Sequence, residues 1–164
     1  MHIVFSHGKE SGPWGSKISY LADIAKQQGH SVDSIDYRQS LDPEWRVQHL
    51  LESVAADDTE TVLVGSSMGA YVATLAAQQI KPKGLFLMAP AFYLPGYTEQ
   101  NPQPPSCPVA IVHGWNDAVV PVENAIRFAQ LHRCDLQLIN SDHGLNHSLK
   151  QLGELFALFM ADLQ

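Results

Sequence analysis

Ser67 stands in Gly65-Ser66-Ser67-Met68-Gly69, which matches G-x-S-x-G. The apolar run Thr61-Val62-Leu63-Val64 leads in, and a helical stripe of Met68, Tyr71, Val72, Leu75 and Ala76 leads out. A strand that turns sharply into a helix lifts the serine hydroxyl above the sheet, where it can attack a carbonyl carbon. Side chains two positions before and after the serine would collide with backbone in so tight a turn, and glycine at 65 and 69 avoids this. Ser67 is therefore expected in a strained conformation. The helix N-terminus beside it favours negative charge as it develops. Ser66 is off-register for the pattern and reads as a packing residue or one that supports the site from behind.

A serine hydroxyl needs a base to take its proton. His143, in Ser141-Asp142-His143-Gly144-Leu145, falls just beyond a predicted strand, and imidazole exchanges protons near neutral pH. His147 is a rival four residues on, but it lies where the last helix should begin. Asp142 reads as exposed. Asp117 follows another predicted strand, in His113-Gly114-Trp115-Asn116-Asp117. A carboxylate there can accept a hydrogen bond from the histidine and set its tautomer; taken alone, Asp117 also suits a turn cap beside Asn116. Ser67, Asp117 and His143 each follow a different strand, at one edge of the sheet and in that chain order.

Acyl transfer also needs two backbone N–H donors aimed at the oxyanion. Met68, next after the serine, supplies one. The loop after the first strand, Ser6-His7-Gly8-Lys9, supplies the other through Lys9, with Gly8 allowing close approach. This glycine-rich loop lacks G-x-x-x-x-G-K-[ST] and G-x-G-x-x-G, so a phosphate cradle is a weak reading.

The elements that must hold these groups alternate along the chain. Strands are expected over Ile3 to Ser6, Val32 to Tyr37, Thr61 to Val64, Gly84 to Met88, Pro108 to Val112 and Leu136 to Ile139. Most are apolar throughout, as in strands buried on both faces. A helix is expected near residues 17–28 with Ile18, Leu21, Ala22 and Ala25 inward, ended by Gly29. A second begins at Asp42-Pro43, cap and first helical residue. Pro121 opens a later one, and Leu149, Leu152, Phe156, Phe159 and Leu163 mark a final amphipathic helix. Residues 90–107 hold five of the ten prolines and no periodicity. They read as a long loop, either functional or with a mobile tip. The pattern predicts a three-layer α/β/α sandwich, with ligands beyond the carboxyl ends of its strands.

Composition narrows the function. The 164 residues carry 10 Lys+Arg against 17 Asp+Glu, a formal charge of −7. That fits one domain over residues 1–164. It speaks against nucleic acid and anionic membranes as partners. No apolar run approaches the roughly 20 residues that span a bilayer, and the N-terminus lacks the pattern of a secretory signal. Two cysteines without a CxxC pair point to free thiols and a cytoplasmic protein. No histidine or cysteine spacing suggests a metal.

The segments SHGKESGP, VGSSMGA, VHGWNDAVVP and SDHGL together resemble the α/β-hydrolase superfamily, and most of all its small, lidless bacterial serine hydrolases of the carboxylesterase and dienelactone-hydrolase type. The resemblance spans residues 1–145. It implies a trimmed fold of about six mostly parallel strands without a cap domain, because the His-Gly loop comes at residue 7 and only residues 90–107 occupy the usual lid position. It implies a hydrolase of small esters or thioesters that needs no cofactor. Ser67 would attack, His143 would relay the proton and Asp117 would orient it. Trp14, Phe92 and Tyr93 are candidate pocket walls, each equally suited to core or loop packing. An acyl-thioesterase or a small amide or peptide hydrolase fits the same residues. A non-catalytic binding protein on this fold and a flavodoxin-like nucleotide-binding domain are the readings from other classes. Neither the physiological substrate nor the oligomeric state follows from the residues.

Overall fold

Strands β1 (His2–Ser6), β2 (Ser31–Ile35), β3 (Thr61–Ser66), β4 (Gly84–Met88), β5 (Val109–Gly114) and β6 (Asp135–Ile139) form one sheet in the order 2-1-3-4-5-6. Every pairing is parallel. The computed structural model describes residues 1–55 and 60–164. The four inner strands are almost wholly buried, whereas the edge strands β2 and β6 are partly exposed and more polar. An inner parallel strand is covered on both faces, and an edge strand is not.

Helices cover the two faces. Along β3 and β4, Leu63, Leu85 and Leu87 face one side and Val62, Val64, Phe86 and Met88 the other, the two-residue alternation of a strand. The first side packs against α2 (Pro43–Ser53), α3 (Met68–Ile80) and α4 (Val122–His132), through Leu50, Val72 and Phe128 among others. The second packs against α1 (Ser16–Gln27) and α5 (Leu149–Asp162), through Leu21, Leu152 and Phe156. This is the α/β/α sandwich expected from the alternation, with all rather than most of its strands parallel. Among the described residues no cap domain is inserted.

Local signals set several element ends. Asp42 accepts from Glu44 N–H at 3.0 Å while Pro43 opens α2. Gly29, at φ +82°, follows the end of α1. β2 stops at Ile35, two residues short of the expected Tyr37, because the Tyr37 N–H donates to His7 Nε2 at 2.9 Å rather than to a strand. His147 lies in a 3₁₀ turn, Asn146–Ser148, ahead of α5.

The strand order turns from leftward to rightward growth between β1 and β3. In parallel sheets the crevice for a ligand opens at such a switch point, beyond the strand carboxyl ends. The loop after β1 and the turn after β3 meet there: a Cβ placed on Gly8 would lie 3.6 Å from Ser67 Cβ.

Candidate active site

Ser67 joins β3 to α3 at φ 54° and ψ −118°. A non-glycine residue in that region is strained, and it is held only where its surroundings demand it. They do so here: Ser67 N–H donates to Met88 O at 2.9 Å, and Ser67 O accepts from Ala91 N–H at 3.2 Å. The turn presses helix against strand. A Cβ on Gly69 would overlap the carbonyl of Ser6, and one on Gly65 would overlap the backbone of Ala70.

Ser67 Oγ lies 2.9 Å from His143 Nε2, and His143 Nδ1 lies 2.7 Å from Asp117 Oδ2. The loops after β5 and β6 bring the last two together. Trp115 N–H donates to Ile139 O at 2.9 Å and Asn116 N–H to Ser141 O at 3.0 Å. The Asp117 side chain is fully buried, while that of His143 is 23% exposed. An uncompensated buried carboxylate would be costly, and Asp117 is well supplied with donors. Its Oδ1 accepts from the N–H groups of Val119 and Val120, each at 2.8 Å. His113 Nε2 stands 3.2 Å from Oδ2 and 3.0 Å from Val120 O. Both neighbours accept, so Nε2 carries the proton. His113 is completely buried, and burial pushes its pKa below the usual histidine range, which keeps it neutral.

The loop after β1 is clamped from behind. The buried Arg46 of α2 donates to Gly8 O at 3.0 Å, Lys9 O at 3.1 Å and Ser40 O at 2.8 Å. His7 Nδ1 donates to the same Gly8 carbonyl at 2.8 Å. Gly8 C=O and Lys9 N–H belong to one planar trans peptide and point in opposite directions. Holding the carbonyl toward Arg46 therefore turns the Lys9 N–H the other way. Neither that N–H nor the Met68 N–H bonds to another group among the described residues.

A cleft of about 480 Å³ opens over Ser67 and His143. Lys9 lines it, and Ala91, Leu94, Tyr97 and Val119 supply much of the apolar wall. Met68 is not among the lining residues, and its side chain sits in the core. The three aromatic candidates lie elsewhere. Phe92 is fully buried and stacks on Phe128 with ring centroids 4.3 Å apart. Tyr93, at φ 58°, lies under the Arg127 guanidinium at 4.0 Å. Trp14 is 49% exposed, with the Lys26 ammonium 5.8 Å from its ring. Ala91 and Leu94 flank that aromatic pair and take the wall positions instead. Tyr97 is held edge-on to Tyr71, whose hydroxyl accepts from Glu99 N–H at 3.0 Å and ties down the loop.

The uncharacterised protein family UPF0227 matches residues 2–102. A protein of the alpha/beta hydrolase superfamily from Xanthomonas campestris pv. campestris superposes with a TM-score of 0.89 at 30% identity, over 98% of each chain. The chain belongs to UPF0227 and to the α/β-hydrolase superfamily. Two more distant structures share its fold. Est1E from Butyrivibrio proteoclasticus gives a TM-score of 0.81 at 17% identity, over 99% of this chain and 87% of the other. Mouse alpha/beta hydrolase domain-containing protein 10 gives 0.76 at 21%, over 99% and 90%. No curated protein matches the sequence. Among the described residues of this α/β hydrolase, no helix is long and apolar enough to cross a membrane, and no group of three or more His, Cys, Asp or Glu side chains could hold a metal ion.

Proposed function

We propose that this α/β hydrolase cleaves small esters or thioesters through a covalent acyl-enzyme on Ser67, working as one domain. The observation that carries the reading is the unbroken line from Ser67 Oγ to His143 to Asp117, at 2.9 and 2.7 Å. Ser67 Oγ attacks the carbonyl carbon as His143 Nε2 takes its proton. The oxyanion is met by the Met68 and Lys9 N–H groups. His143 then passes the proton to the departing alcohol or thiol, and the carbonyl re-forms as that bond breaks. Water repeats the sequence on the acyl-enzyme and releases the acid. Asp117 keeps the Nδ1 proton in place and offsets the imidazolium charge. A cleft without a cap suits a small or protruding acyl group. The two free cysteines support a cytoplasmic setting.

A fluorophosphonate probe with peptide mapping tests the reading. Phosphonylation confined to Ser67, and lost in His143→Ala, is the expected result. Folded protein that stays unlabelled and turns over no ester would reject it.

A further inference from the structure

Lys17 is the one half-buried cation among the described residues that line the cleft; Lys9 and Glu10, its other lysine and acidic residue, are exposed. The side chain projects from the first turn of α1, on the same cleft as Ser67 and His143. Nothing on α1 neutralises it, for that first turn has no acidic residue and the Gly15 cap has no side chain. No described carboxylate stands within ion-pair distance of it. Asp117 and Asp142 attract it only from further away. Both are engaged elsewhere: Asp117 by His143 and two backbone N–H groups, Asp142 by the Leu145 N–H at 3.1 Å. Burial pushes the amine down to about 8, so it is mostly charged at neutral pH.

An ammonium withdrawn from water without a partner is costly. The cost is recovered when a ligand brings an opposite charge, because a charge-assisted hydrogen bond in a partly desolvated cleft is about twice as strong as a neutral one. Ile18, Ala91, Leu94 and Val119 offer a substrate only apolar contact, while Ser11, Ser16 and Asn146 add neutral polar groups. Lys9 and Glu10 are solvated and opposite in sign, so Lys17 is the partly desolvated charge in this cleft that can select a substrate.

We propose that the preferred substrates carry a carboxylate, and that Lys17 binds it while the ester or thioester carbonyl lies at Ser67. The proposal rests on the hydrolase reading above and names its substrate class. Lys17 takes no part in bond making; it holds the substrate.

The test compares size-matched esters that differ in charge. The acyl-side set is the p-nitrophenyl esters of hexanoate, adipate (as the half-ester) and 6-aminohexanoate. The alcohol-side pair is 4-acetoxybenzoate and 4-acetoxybenzamide. The quantity read is the ratio of kcat/KM for each charged ester to its neutral match, in wild type, Lys17→Met, Lys17→Arg and Lys17→Glu. Wild type is expected to favour at least one carboxylate-bearing ester. Lys17→Met should lower that ratio by about 10-fold or more, Lys17→Arg should keep most of it, and Lys17→Glu should shift preference toward the ammonium ester. Ratios that agree within about twofold between wild type and Lys17→Met would overturn the role of Lys17 and leave the hydrolase reading intact. Wild type that cleaves none of the esters would overturn both.

Discussion

Arg46 reaches out of α2 to donate to the carbonyl oxygen of Gly8 at 3.0 Å, across 38 positions of sequence. Its side chain is completely buried, and its described hydrogen bonds all go to backbone carbonyls rather than to a carboxylate. Tyr37 lies beneath it, with the guanidinium carbon 5.3 Å from the ring centroid. An arginine used in this way orients peptide groups. The peptide it orients is the one that carries the Lys9 N–H.

Arg46→Gln should therefore lower kcat by about 10-fold or more while leaving KM within about twofold. Steady-state kinetics on folded variant, with circular dichroism as the folding check, decides the matter. A rise in KM at constant kcat would place Arg46 in substrate binding instead. Arg46→Ala should regain part of its kcat when guanidinium ion is added.

Asp117→Asn should lower kcat by about 10⁴. The Asn oxygen can still accept from the Val119 and Val120 N–H groups. Its NH₂ must then face both His143 Nδ1 and the protonated His113 Nε2. His143 can meet a donor only with an unprotonated Nδ1, which places its proton on Nε2, toward Ser67, where a proton acceptor is needed. Labelling of Ser67 by fluorophosphonate should slow in parallel. Unchanged labelling would mean that Asp117 is only a turn cap.

Gly69→Ala should prevent assembly of the turn. The added methyl would meet the carbonyls of Ser6 and His7, which are backbone and cannot swing aside. The expected loss exceeds about 3 kcal/mol, the scale of severe overpacking. A urea midpoint close to that of wild type would show that β1 and α3 do not press together at this point.

Stability should fall as pH drops below 6.5. Burial lowers the pKa of both His7 and His113 from that value. Between the folded and unfolded pKa values the unfolded chain binds more protons, so stability rises with pH there. The contribution is complete above 6.5 and shrinks below it, by up to about 1.4 kcal/mol per pH unit for each histidine. Urea unfolding at about pH 7.5 and about pH 5.5 measures the slope. In His113→Gln it should be reduced by one proton's share.

Much of this was legible in the residues. Thr61-Val62-Leu63-Val64 had to be a buried strand because it offers no polar face. The glycines at 65 and 69 marked the turn after it, since nothing else on that short path tolerates such close backbone. Ser67, Asp117 and His143 could be picked out because each follows a strand, and a parallel sheet gathers all its strand ends on one edge.

The long-range contacts were not legible. Phe92 and Tyr93 looked like pocket walls because they follow β4, yet the chain reverses at Tyr93 and sends both rings toward α4. No local pattern separates that outcome from its opposite. Arg46 sits on a helix where an arginine is ordinarily solvated, and His113 inside a strand where a histidine is ordinarily packing. Each acquires its role from a partner loop that folding alone delivers. Local propensity and hydrophobic period are properties of neighbouring residues, so the sequence by itself determined the elements and the residues at their ends. Which buried donor meets which backbone acceptor depends on how helices close over the sheet, and that was decided only by the tertiary structure.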